Sequence, residues 1–232
     1  MGITKTLNDD LIANRSEVSI AEFEASRRLG AREGVGGAAS WAVWGNENDD
    51  LTIFEDSAAI SPRLRKDVVL IGANFGLGGD TGEFPPFKNF HARKSGGDSK
   101  LRKAITGTAL EGAFLTDIVK DYPTKDAKGL PTEIKSGTLD TNRYVLSGFK
   151  TEQEALGLSR DTLYIPMGDT TRILWDLLVD RGVIPAEQRV FHRAYGNGPL
   201  FKERPVTYLR HYAGAVDMVQ AVQGLLAQLN LR

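Results

Sequence analysis

A continuous β-branched run, Asp67-Val-Val-Leu-Ile-Gly72, leads directly into Gly72-Ala-Asn-Phe-Gly76. An Asn at a strand tip can orient a water through its amide, although it is a poor base. Behind it come Phe84, Phe87 and Phe90. The stretch 88–103 holds six basic residues (Lys88, Arg93, Lys94, Lys100, Arg102, Lys103) against one acid, Asp98. Aromatic faces beside a basic surface suit a flat base on a phosphate backbone. The same residues equally fit a plainer account, in which the Phe rings are core and the basic run is a solvated helix face.

Other chemistries find less support. The histidines His91, His192 and His211 lie far apart, and none forms the close pair of a metal-binding helix. No G-x-S-x-G elbow is present for a serine nucleophile. Gly76-Leu-Gly-Gly-Asp80 follows a strand but lacks the lysine and helix start of a phosphate-binding loop. With no Cys there is no disulfide, thiolate nucleophile or Cys-ligated metal.

The elements that must position these residues follow from periodicity. Ser19 opens a helix that Gly30 ends. Segments 40–44 and 51–54 read as short strands across an Asn/Asp-rich turn. Strands are expected at 67–72, 113–119, 162–167, 189–194 and 206–211, with helices at 99–110, from 151, up to 181 with Asp169 as its cap, and at 216–229. Residues 120–150 show no clear period. Strands alternating with helices predict a three-layer α/β/α domain around a central, mainly parallel sheet. Working residues in such folds lie just beyond the carboxyl ends of strands, which selects 72–89, 116–120, 168–170 and 211–214.

At 232 residues, with 41% hydrophobic and 25% charged, the chain fits one domain: a core over 66–229 and an extension, 1–65, packed on it. Its start lacks the basic and apolar stretches of a secretory signal, and no apolar run nears the ~20 residues that cross a bilayer. A cytoplasmic monomer is the expectation. The net charge of −1 argues against a protein that coats itself in DNA.

Three segments, in order, resemble the uracil-DNA glycosylase superfamily, in the style of its mismatch-specific uracil/thymine and uncharacterised bacterial or phage branches. Val68-Val-Leu-Ile-Gly-Ala-Asn-Phe-Gly76 resembles the first motif, a strand ending in Gly-x-Asn-Pro-Gly. Gly112-Ala-Phe-Leu-Thr-Asp-Ile-Val-Lys120 resembles the strand lining the base pocket. Leu209-Arg-His-Tyr-Ala-Gly214 resembles the second catalytic motif, His/Asn-Pro-Ser-Gly. Phe75 and Tyr212 stand in place of prolines, and Thr116 stands where uracil-specific members carry an Asn.

The resemblance implies a DNA glycosylase that flips a damaged or modified base and leaves an abasic site, without a metal or cofactor. Asn74 would position the water and His211 would donate to the departing base, with His192 a rival for the latter role. Gly72, Ala73, Phe75, Phe87, Phe90, Thr116, Asp117, Tyr212 and Gly214 would form the base pocket. Lys88, Arg93, Lys94, Lys120 and Arg210 would meet the DNA backbone, and the helix after Gly214 would present N–H groups to a phosphate. Asp117 suits an exocyclic amino group better than uracil O4, so a modified cytosine of the phage type is favoured over plain uracil. A degenerate DNA- or protein-binding member of the fold and an enzyme of nucleotide metabolism are the alternatives.

Overall fold

The computed structural model describes residues 17–31, 36–75, 84–92, 97–122, 124, 126–158, 162–186, 208–212 and 215–229. It is an α/β structure around a four-stranded mixed sheet. The strands are β1 (Ser40–Trp41), β2 (Arg65–Asn74), β3 (Ala113–Val119) and β4 (Leu163–Pro166), in the spatial order β1-β3-β2-β4. β2 runs parallel to both β3 and β4, whereas β1 is antiparallel to β3. A parallel bridge from Met167 to Leu209 extends the sheet beyond β4.

β2 and β3 are central because their runs are apolar without alternation, as strands buried on both faces must be. All of β3 is buried. On one face, Val68, Leu70, Leu115 and Ile165 pack with α3 (Asp98–Ile105) and α7 (Met218–Gln228). On the other, Val69, Ile71, Phe114 and Ile118 pack with α1 (Ile20–Gly30), α4 (Leu130–Ser136), α5 (Ser147–Leu156) and α6 (Asp169–Asp180). The short helix α2 (Ser57–Ile60) precedes β2. The three tryptophans pack as expected, with Trp41 and Trp175 fully enclosed.

Ser19 caps α1 through a capping box: its hydroxyl accepts from Glu22 N–H and the Glu22 carboxylate accepts from Ser19 N–H. Several expectations are corrected. Residues 52–54 form a 3-10 turn, not a strand, because Asp50 accepts from both the N–H and the hydroxyl of Thr52 and curls the chain. Asp169 does not cap α6; it is the first helical residue, and its carboxylate accepts from Tyr208 O–H at 2.8 Å. The unpatterned 120–150 stretch holds α4 and a π-helical turn, Asn142–Leu146, that runs into α5. The strand expected at 189–194, with His192, and the glycines 76–82 lie outside the described residues.

β2 and β4 are neighbours, yet the chain leaves β2 for α3 on one face and leaves β4 for α6 on the other. In α/β sheets, sites lie outside carboxyl ends where successive connections diverge in this way. Here those ends are Gly72–Asn74 and Met167–Gly168.

Candidate active site

Gly72 pairs in register with Asp117, and Asn74 with Val119. Gly72 has no room for a side chain: a Cβ there would lie 2.2 Å from Asp117 Oδ1 and 3.4 Å from the Phe90 ring. The glycine therefore makes space for the carboxyl at the strand tip. Gly72→Ala is expected to displace Asp117 and to cost about 1–3 kcal/mol of stability, as overpacking does; urea denaturation measures it, and unchanged stability would show that the carboxyl moves freely.

Asp117 is 2% exposed and accepts from Asn89 Nδ2 at 2.9 Å. Burial pushes its carboxyl up to about 7, against the opposing pull of the Asn89 bond and the Lys120 charge. The other Asn89 N–H donates to Ala38 O at 2.8 Å, so two acceptors fix the orientation of that amide. Asn89 sits between Phe87 and Phe90, both held at positive φ (67° and 64°) where side chains are strained. His91 anchors the loop. Its ring nitrogens meet Val43 O at 2.8 Å and Asn89 O at 2.9 Å, and burial holds its pKa below the ordinary value.

The opposite wall comes from the segment after Leu209. Tyr212 is half-buried, its ring 6.3 Å from Phe90. Its phenol bonds Asp98, and burial followed by the Asp98 and Asp117 charges keeps it protonated. Asp98 also accepts from Ala92 N–H at 2.9 Å. His211 is exposed, stacks on Tyr212 at 4.7 Å and lies against Gly168, where a Cβ would approach its ring to 3.0 Å. This packing lowers its pKa, opposed by the Asp98 charge. Asp117, Asn89, Phe90, Asp98, Tyr212 and His211 thus converge at the carboxyl ends of β2, β3 and β4. No family model matches the chain, and comparison with curated proteins and solved structures also finds no match.

Of the residues selected from sequence, Gly72, Phe90, Asp117, His211 and Tyr212 come together here. Asn74 is half-buried at the same strand tip. Both hydrogen bonds of its amide are donations from Nδ2, to Phe75 O at 3.0 Å and Thr124 O at 2.9 Å; among the described residues nothing donates to its Oδ1. Phe75 packs its ring edge-on against Phe84 at 4.8 Å. Lys88 is half-buried and Arg210 exposed. Arg93, Lys94 and Gly214 lie outside the described residues.

Four assignments are corrected. Phe87 is no stacking platform; it is fully buried against Phe23 and Phe54. Ala73 packs into the core on the face away from Asp117. Thr116 cannot share a base edge with Asp117, because successive strand side chains point to opposite faces. Lys120 meets no DNA, since its ammonium is buried on Thr116 Oγ1 at 2.6 Å and Glu152 Oε1 at 2.7 Å. The basic run is also smaller than its composition promised: Arg102 donates to Gly45 O and Asn46 O, both at 2.8 Å. The last helix caps itself, with Asp217 accepting from Gln220 N–H, and so offers a phosphate no welcome. Asn89 and Asp98 were missed as site residues, the one lying between two Phe and the other counted only as the lone acid of a basic run.

Proposed function

We propose that the chain is a DNA glycosylase with a uracil-DNA glycosylase-like fold, which hydrolyses the N-glycosidic bond of a flipped, modified pyrimidine. The observation that carries the reading is the buried Asp117 carboxyl at the carboxyl end of β3, beside aromatic rings and a histidine. In the reaction the C1′–N bond breaks with its electron pair going to the base, and water oxygen bonds to C1′. One water proton passes to Asp117 and then to solvent, and the departing base takes a proton from solvent. Asn74 Oδ1 accepts a hydrogen bond from the water and orients it. Asp117 takes its proton and, as a carboxylate, faces the positive charge that grows on the sugar. His211 donates to the oxygen of the leaving base, while Phe90 and Tyr212 flank the ring. A carboxylate that takes the proton of the water at C1′ cannot also reach an exocyclic amino group on the far edge of the base, so the preference over uracil expected from the sequence is decided by experiment.

The test is single-turnover excision on duplexes carrying uracil, mismatched thymine, hypoxanthine or a hypermodified cytosine, read as alkali-labile sites. Excision is expected to be fastest on a modified cytosine, and Asn74→Ala and His211→Ala should each lose it while still binding DNA. A faster rate on uracil than on every modified cytosine would return the protein to uracil repair. The loss of Lys120 and Arg102 from the basic surface favours a second reading, an enzyme acting on free nucleosides. Base release from nucleosides with no cleavage of any duplex would decide for it.

A further inference from the structure

Behind Asp117, on the far face of β3, lies a second polar cluster. Lys120 and Glu152 are 2% and 1% exposed, and their charged groups stand 2.7 Å apart. The Lys120 ammonium donates to Thr116 Oγ1 as well, and the Thr116 hydroxyl donates to Glu152 Oε1, closing a triangle of three side chains. The Phe149 ring covers the ammonium at 4.8 Å. Gly148 leaves room for the stem, since a Cβ there would come within 2.4 Å of Lys120 Cγ. Lys120 N–H donates to Tyr144 O at 2.7 Å, tying the end of β3 to the π-helical turn. Burial alone would pull Lys120 below and Glu152 above their ordinary values, and each sustains the charge of the other.

Buried ion pairs are weak devices for stability, because desolvation offsets most of the attraction. This one adjoins the site: Thr116, to which the ammonium is bonded, is the chain neighbour of Asp117 on β3. We infer that Lys120 and Glu152 are positioning residues, acting across β3 to tune when Asp117 releases its proton. The inference rests on Asp117 being the acid–base group of the site. The groups around Asp117 are Asn89 from the loop before α3, Asp98 from α3 and Tyr212 from the last segment, with Lys120 from the end of β3 and Glu152 from α5 acting from behind it. Lys120 is the cation of this set. Its charge favours the ionised Asp117, while those of Glu152 and Asp98 oppose it.

The experiment is a carboxyl NMR titration of the full chain labelled at Asp, with the Asp117 signal identified by its absence in Asp117→Asn. Lys120→Met should move the Asp117 midpoint upward by about one pH unit. The double variant Lys120→Met with Glu152→Gln should move it in the same direction by less, and it leaves no lone buried charge, so it serves if the single variant does not fold. Where excision is measurable, the pH at which the rate rises should follow the midpoint. A midpoint unchanged or lowered in the folded variants would overturn the inference. Because the readout is the carboxyl itself, that failure is distinguishable from absence of excision, which would overturn the glycosylase reading instead.

Discussion

Asp117→Asn is expected to lower the single-turnover excision rate by about 10²–10⁴-fold, the range for removal of a positioned general base. The substitution keeps shape and hydrogen bonding, since the new amide oxygen can accept from Asn89 Nδ2 in place of Asp117 Oδ2. What it removes is the capacity to take a proton. DNA binding should be near normal, so the loss falls on the chemical step and not on affinity. The pH profile supplies the second half of the test. In the native protein the carboxyl is the base only when ionised, and burial holds it at about 7, so the rate should rise as pH passes through that value. In the variant that limb should vanish. A variant with near-native rate, or a native profile flat from pH 5 to 9, would remove Asp117 from the reaction.

The strand tips were legible because their signals are local. The β-branched run of β2 and the apolar run of β3 read as buried strands, and a carboxyl-end rule then selects Gly72, Asn74 and Asp117 without knowledge of packing. His211 instead rests on a strand expected at 206–211, of which the described residues show only the bridge at Leu209. What was not legible depended on partners distant in sequence. Lys120 and Glu152 are 32 residues apart and fall in a strand end and a helix of different character. Read singly, one looked like a DNA-facing cation and the other merely fell in the helix expected from 151. Arg102 shows the same effect, its guanidinium drawn back to the carbonyls of Gly45 and Asn46.

The opposite faces of Thr116 and Asp117 were available from the period of two along a strand, but the motif was read as a unit and the alternation was not applied to it. Leu51–Phe54 shows the limit of short apolar runs, which fit a 3-10 turn as well as a strand until Asp50 is seen to bond Thr52. The loop at 84–92 was read for its aromatics. Its working element is Asn89, held in place by two residues in the left-handed region.

The same carboxyl that serves the chemistry should cost the fold stability at neutral pH. Asp117 is raised from 3.8 to about 7, so the folded state holds its proton more tightly than the unfolded chain does. The group's contribution is therefore complete below about pH 4 and is lost as pH rises through about 7. A gap of that size corresponds to at most about 4 kcal/mol between the two ends of the window. Asp117→Asn cannot ionise and should escape this loss. At pH 4, where both side chains are neutral, native and variant proteins should unfold at similar urea concentrations. At pH 8 the variant should be the more stable, the difference growing from about pH 4 and levelling off as pH passes about 7. The variant would then be both more stable and less active, as expected of a polar group held buried for its chemistry. A stability difference that stays constant from pH 4 to 8 would mean that Asp117 ionises as readily in the folded protein as in the unfolded chain, and the raised carboxyl would have to be abandoned as the centre of the site.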